Sequence, residues 1–160
     1  MAVDMFIKIG ALKGESVDNT HKGEIDVLAW SWGMSQSGTT HTGGGGGAGK
    51  VSVQDISFTK YVDASSNVLI KSVCDGTHHP DATLVVRKAG GTAIEYIKIK
   101  MKEVIITSVS MGGSGGEDRL TENVTLNFAE FEYDYTPQKP DGTADAVKPV
   151  KFSIQENHII

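Results

Sequence analysis

The sequence has a single cysteine, no long apolar run and no excess of positive charge. Its one thiol, Cys74, excludes an internal disulfide and a zinc site with several cysteine ligands. No stretch approaches the roughly 18 apolar residues of a membrane-spanning helix. The net charge of −5 argues against a nucleic-acid partner, because such proteins usually carry a basic patch. We therefore expect an ordinary globular protein without membrane insertion.

The length of the chain and its first residues limit the possible number of domains and the possible export routes. The 160 residues suffice for one domain, 1–160, with a full hydrophobic core, and the sequence shows no internal repeat or linker. Residues 1–10 lack the basic region and the long apolar run of a signal peptide. We therefore expect the chain to fold in the cytoplasm, and any export to use a route that needs no cleavable signal.

The segment from Thr42 to Lys50 is almost entirely glycine. Gly44 to Lys50 has the spacing of a phosphate-binding loop, G-x-x-x-x-G-K, which also requires Ser or Thr after the lysine and a helix N-terminus for the phosphates. Here Val51 follows, and residues 51–58 alternate as a strand does. We therefore interpret the tract as a flexible arm. Its glycines lose much backbone entropy when they become ordered, so a partner surface would have to compensate.

The remaining pattern predicts a mostly β protein with one short helix. Asp63 is the expected helix cap, with Ser65 and Ser66 in the first turn, and Gly76 is the expected end. We expect the Cys74 thiol to be buried and structural. Strands this regular favour a closed barrel or a sandwich. The predicted strands cover residues 6–9, 24–36, 51–61, 82–88, 93–111, 120–135 and 150–154.

The predicted strand 24–36 has two unlike faces. One face is bulky and is expected in the core: Leu28, Trp30, Trp32 and Met34. The other is small: Val27, Ala29, Ser31, Gly33 and Ser35. An exposed strand face usually carries larger polar side chains. A face of small residues therefore lies against another surface or lines a passage, unless another element of the same chain covers it.

Two later strands carry further signals. Both faces of the strand 120–135 change character near Ala129, which predicts a bulge or a change of neighbouring strand there. The strand 93–111 has a basic row, and the end of the strand 120–135 has an acidic row. We expect these rows to pair across strands or between subunits. The residues are Lys98, Lys100 and Lys102, and Glu130, Glu132 and Asp134.

The sequence shows no catalytic or metal-binding pattern. The histidines have no partner at metal-ligand spacing, and the adjacent pair His78-His79, in a predicted loop, would point in opposite directions on extended chain. No serine lies in a nucleophile elbow. We expect no enzymatic activity, no cofactor and no metal site.

Three long motifs in a fixed order carry a resemblance to a known family. They are residues 24–36, 53–61 and 112–128, with the glycine tract between the first two. This combination closely resembles the Hcp family, the haemolysin-coregulated proteins of bacterial type VI secretion. The resemblance extends from Ala2 to about Gln138, and the stretch from Lys139 is the least similar part.

The resemblance implies a small β-barrel of two packed antiparallel sheets with one flanking helix. It also implies a homo-hexameric ring with a wide channel. Such rings stack into a tube inside a sheath, are tipped by a spike protein, and are secreted with small effectors that they carry and stabilise. The channel-facing position corresponds to Ser31, and Ala29 and Gly33 share its face.

We expect two further segments to contact other subunits or rings. The first is the arm, with Thr42, Gly43, Gly44, Gly45, Gly46 and Gly47. The second is the turn at Gly90 and Gly91, which we place on the opposite ring face from the final residues after about Ser153. The alternative function is a monomeric small-ligand-binding barrel with a closed pocket.

Overall fold

A computed structural model of the chain describes residues 3–38, 49–89 and 93–160. The arm residues Thr42, Gly43, Gly44, Gly45, Gly46 and Gly47, and the turn residues Gly90 and Gly91, lie outside these ranges. Their roles stay predictions.

The described ranges contain twelve strands and one helix, and the mostly β architecture with one short helix is confirmed. The elements are β1 (Val3–Ile9), β2 (Ile25–Asp26), β3 (Ala29–Ser31), β4 (Met34–Ser35), β5 (Ser52–Val53), β6 (Ile56–Tyr61), α1 (Ser66–Asp75), β7 (His78–Lys88), β8 (Ile94–Met111), β9 (Thr121–Asn127), β10 (Glu130–Tyr135), β11 (Lys148–Ser153) and β12 (His158–Ile159).

The long strand β8 belongs to both layers of the fold. Its first part pairs with β7 and β10, and the sheet continues from β7 to β1 and β2 and from β10 to β11 and β12. Its last part pairs with β9, which pairs with β6, which pairs with β3. Glu103 has a φ of 55° between the two parts, so the strand bends there. All the strand pairs are antiparallel, as predicted.

The inner faces of the two layers share one hydrophobic core. Ile7, Leu84 and Ile99 come from the first layer and are fully buried. Phe58 and Leu126 come from the second layer and belong to the same cluster. Alternation along each strand thus places every second side chain inside.

The predicted strand 24–36 is wrong as one element, because the chain changes partner within it. Val27 N donates to Met5 O of β1, whereas Leu28 N donates to Thr59 O of β6, at 2.9 and 2.8 Å. This change of partner strand reverses the inside–outside alternation, so Val27 is buried and Leu28 is exposed. Met34 is also exposed, on the separate β4–β5 ribbon. The two tryptophans, Trp30 and Trp32, pack against the core as predicted.

Further strand boundaries differ from the prediction. Residues 51–61 divide into β5 and β6, and residues 78–81 open β7 instead of forming a loop.

The change near Ala129 is confirmed: β9 pairs with β6 and β8, whereas β10 pairs with β8 and β11. The break occurs because Ala129 N donates to Lys102 O and Ile154 N donates to Ala129 O.

The basic and acidic rows pair within the chain, across β8 and β10. Lys100 lies opposite Glu132, and their side chains are 3.0 Å apart. The hydrogen bond from Lys100 lowers the pKa of Glu132 to about 2. Burial, together with the neighbouring Glu132, raises the pKa of Asp134. One row of cations thus faces one row of carboxylates, which fixes the register of the two strands.

The helix ends at Gly76, as predicted, with a left-handed φ of 68°. Its start differs from the prediction, because Ser65 occupies the cap position and no side chain caps the helix. Asp63 instead accepts a hydrogen bond from Ser65 N at 2.8 Å. The expectation of a buried thiol is wrong: Cys74 is exposed, because the buried stripe of the helix runs through Ser66, Leu69 and Ser72.

A lysine is fully buried where this helix begins. The Nζ atom of Lys60 lies 2.9 Å from Glu122 Oε1, 3.0 Å from Asp63 Oδ1 and 3.2 Å from Ser66 Oγ. The Ser66 hydroxyl also contacts Glu122. Burial of a lone charge is costly, whereas here one cation has two carboxylates and a hydroxyl around it. The cluster joins β6, β9 and the first turn of α1.

We predict that Lys60→Ala lowers the free energy of unfolding by about 3–5 kcal/mol, because Glu122 is left buried without its cation. Urea denaturation at one fixed protein concentration measures the change. The control is Lys71→Ala, which removes an exposed pair with Asp75 (2.7 Å) and should change the value by less than about 0.5 kcal/mol. Equal effects of the two substitutions would contradict the assigned role of the buried cluster.

Candidate functional site

The second layer has an outer face that consists almost entirely of small polar side chains. Along β6 and β9 these residues alternate with core residues such as Phe58 and Val124. The alternation places them together on the side away from the core. We call this surface the hydroxyl face; its members are Ala29, Ser31, Gly33, Asp55, Ser57, Thr59, Thr107, Ser108, Ser110, Asn123, Thr125 and Asn127.

The strand register arranges the hydroxyl face in rows across four strands. In one row, Ser31 pairs with Ser57, Ser57 with Thr125, and Thr125 with Ser108. The next row runs in the same way through Ala29, Thr59, Asn123 and Ser110. The short strand β3 is therefore the edge of a continuous polar surface.

Hydrogen bonds tie the side chains of these rows to one another. The Thr59 hydroxyl donates to Asn123 Oδ1 at 2.6 Å. The Thr125 hydroxyl lies 2.6 Å from that of Thr107 and 2.7 Å from that of Ser108. A register shift between Ile106 and Ser108 places the consecutive residues Thr107 and Ser108 on the same side of the sheet. These hydrogen bonds hold the rotamers of the side chains that form them.

Asp55 is the only ionisable member of the hydroxyl face and lies at one end of it. Its Oδ2 accepts a hydrogen bond from the Thr107 hydroxyl at 2.8 Å, and its Oδ1 accepts one from Asn127 Nδ2 at 2.9 Å. At the other end, the Arg119 guanidinium lies 3.8 Å from the centre of the Tyr61 ring. The surface between these ends is uncharged.

The three residues predicted from the small-residue pattern lie on this face. Ser31 and Ala29 are exposed on β3, and no element in the described ranges covers them. Gly33 is half-buried beside Gln54, whose N–H donates to Gly33 O at 3.0 Å. A methyl group on Gly33 would lie 3.3 Å from Gln54 Oε1, so this side chain partly fills the space. Their role in a channel stays a prediction.

Sequence reasoning missed most of the hydroxyl face. Ser57 and Thr59 alternate with buried residues, which is a readable signal, but the sequence alone did not join them to Ser31. The pair Thr107 and Ser108 carried no signal, because two consecutive residues share a face only at a bulge.

The hydroxyl and amide groups of the hydroxyl face can donate and accept hydrogen bonds to a bound molecule. The Thr107 hydroxyl bonds to Asp55 and Thr125, and no histidine within the described ranges hydrogen-bonds to these hydroxyls as a base. Among the residues the structure describes, no three His, Cys, Asp or Glu side chains form a metal site. Lys50 leads into the strand β5, as predicted, and not into a helix that could bind phosphates. No described helix is long and apolar enough to cross a membrane.

Comparison with known proteins gives a consistent result. The sequence profile described as "Type VI secretion system effector, Hcp" matches residues 6–135. The protein hcp1 of Pseudomonas aeruginosa strain PAO1 is 64% identical over 160 residues, and the match covers 98% of each chain.

Solved structures agree with this match. A structure described as a type six secretion system protein superposes with a TM-score of 0.94 at 29% identity, covering 99% of this chain and 100% of the other. Hcp1 from Salmonella typhimurium superposes with a TM-score of 0.80 at 33% identity and covers all of both chains.

Proposed function

Because the chain belongs to the Hcp family of type VI secretion effectors, we propose that six copies close into a ring whose channel is lined by the hydroxyl face. The rings stack into the inner tube of the secretion machine, inside the sheath and behind the spike protein. The tube leaves the cell with small effector proteins that the rings carry and stabilise. The protein acts as structure and carrier, without catalysis.

The main observation in support of this proposal is the hydroxyl face. It is exposed, and several of its side chains hydrogen-bond to one another. A channel wall must let cargo enter and leave without strong binding. Long charged side chains would hold a cargo through ion pairs, and apolar side chains would hold it through burial. The rows around Ser31 and Thr125 have neither property. Such a wall permits weak polar contacts, which suit a carrier that later releases its cargo.

Exposed apolar residues at the sheet edge support ring closure. The inner face of the first layer continues from Phe131 on β10 to Phe152 on β11 and Ile159 on β12. Ile159 is 73% exposed and Val150 is 52% exposed, so no element in the described part of the chain covers the edge of this apolar face. A different surface of the next subunit would cover it in a ring, where each interface joins two unlike surfaces.

The side chains that fill the interior of the fold argue against the alternative, a small-ligand-binding barrel. Core side chains of both layers occupy the space between the sheets, and the buried Lys60 cluster occupies the part next to α1.

Mass measurement tests the proposal directly. Size-exclusion chromatography with light scattering on the full chain should give a species of six times the chain mass of 17.1 kDa. A stable monomer that retains a small apolar ligand would overturn the ring and favour the alternative.

We predict that Ser31→Gln leaves the ring mass unchanged and reduces co-purification of a small effector, because the longer side chain projects from the hydroxyl face into the channel. Pull-down of a co-expressed small effector measures retention. The control is Asn67→Gln, which puts the same side chain on an exposed position of α1 and should not alter retention. If Ser31→Gln retains as much effector as the control, Ser31 has no part in carriage of that effector.

We predict that deletion of Gly43 to Gly47 leaves folded rings but impairs stacking or secretion, because the shortened arm cannot reach an adjacent ring or subunit. Electron microscopy of stacked rings and assay of the protein outside the cell measure the two effects. Replacement of the same five residues by serine keeps the length and is the matched control. Normal tubes and normal secretion after the deletion would refute the role of the arm.

A further inference from the structure

An open pocket lined by three lysines lies at one end of the first layer. Its volume is about 470 Å³, and Lys8, Lys13 and Lys22 line it together with Pro80 and Asp81. The pocket forms where β1 ends, because Gly10 N donates to Asp81 O at 2.9 Å. We call it the lysine pocket.

Backbone pairing brings the lysines together. Gly14 N donates to Gly23 O at 2.8 Å, so the preceding Lys13 and the neighbouring Lys22 lie on adjacent stretches of chain. A side chain on Gly14 would overlap the Glu24 backbone, with 2.4 Å to its carbonyl oxygen, so only glycine permits this approach. None of the three lysines forms an ion pair with a described residue.

The acidic side chains at the lysine pocket cancel only part of this charge. Glu24 and Asp81 also line the pocket, and Glu24 bonds His21 Nδ1 at 2.9 Å. Three ammonium groups against two carboxylates leave the lining with a net positive charge. The pocket suits an anionic occupant.

An ordered acidic hairpin lies at the opposite end of the same layer. It spans residues 136–147, between β10 and β11, and its tip is the turn from Lys139 to Gly142, closed by a 2.9 Å bond from Gly142 N to Lys139 O. Gly142 has a φ of 90°, which favours glycine. Asp141 accepts bonds from the N–H and the hydroxyl of Thr143 at 3.0 and 2.7 Å, and these bonds lower its pKa.

The register shows that the pocket and the acidic hairpin face opposite ways. Ile9 pairs with Ala82 at the pocket end, and Val3 pairs with Lys88 at the other end. Tyr135 pairs with both Ile97 and Lys148, which puts the hairpin at this second end. The seven residues of β1 separate the two ends by about 20 Å.

We propose that the acidic hairpin of one copy docks in the lysine pocket of a second copy in the next ring. This inference rests on the ring stacking proposed above and names contacts for it. Asp141 and Asp145 of the hairpin meet Lys8, Lys13 and Lys22, while Lys139 meets Asp81. The occupant is a second copy because the two features lie at opposite ends of one layer, so a shift along the strands brings one to the other. A contact between two different surfaces repeats without closing and produces a stack.

The hairpin lies beyond residues 6–135, which match the family profile.

Charge reversal on each side tests the inference. One variant carries Asp141→Lys and Asp145→Lys, a second carries Lys13→Glu and Lys22→Glu, and a third combines all four. The altered residues are exposed, so the ring mass should stay unchanged. Ring–ring association, measured by sedimentation and electron microscopy at low salt, should fall at least about tenfold in the first two variants and recover in the third.

A matched control is Asp118→Lys, which reverses an exposed carboxylate in the turn before β9 and should leave stacking unchanged. Stacking that is unaltered in the first two variants, or that does not recover in the third, overturns the inference. Binding of inorganic phosphate in the lysine pocket with unaltered stacking overturns it as well. If the variant rings still stack, only this inference fails and the proposed function stands. If the unmodified protein forms no rings, the proposed function itself fails.

Discussion

The contact between Lys60 and Glu122 sets the geometry on which the hydroxyl face depends. These residues belong to β6 and β9, the two central strands of that face, and their side chains point inward while Thr59 and Asn123 point outward. A buried ion pair is sensitive to register, because a shift of one residue would leave a charge in the core and turn the other face of the strand outward. The same cation holds the start of α1 through Asp63 and Ser66. One buried charge therefore fixes two strands and a helix together.

Local patterns in the sequence predicted much of the architecture. The end of the helix at Gly76, the long strand β8 and the change at Ala129 were each predicted correctly, because the residue pattern that marks each of them is local in the sequence. The pairing of Lys98, Lys100 and Lys102 with acidic residues also followed from alternation on two strands. Ser31 was located on an exposed face of small residues for the same reason.

The errors concern features that depend on distant partners. Val27 and Leu28 exchange sides because consecutive amides bond to different strands, and nothing local marks that exchange. Cysteine is usually buried, which predicted a buried Cys74. The side of α1 that is buried depends instead on the elements that pack against the helix. Thr107 joins the hydroxyl face through a register shift that depends on β9. The candidate site was therefore predicted at one edge strand, whereas its width required the full strand order.

The strand β8 also affects how the subunit resists mechanical force. It crosses from one layer to the other as a single run of 18 residues with antiparallel neighbours on both sides. A force directed along it is carried by covalent bonds, and its inter-strand hydrogen bonds are loaded in shear, so many must break at once. A pull across the strand would instead open them one after another. A subunit loaded along the direction of this strand would resist rupture better than one pulled across it.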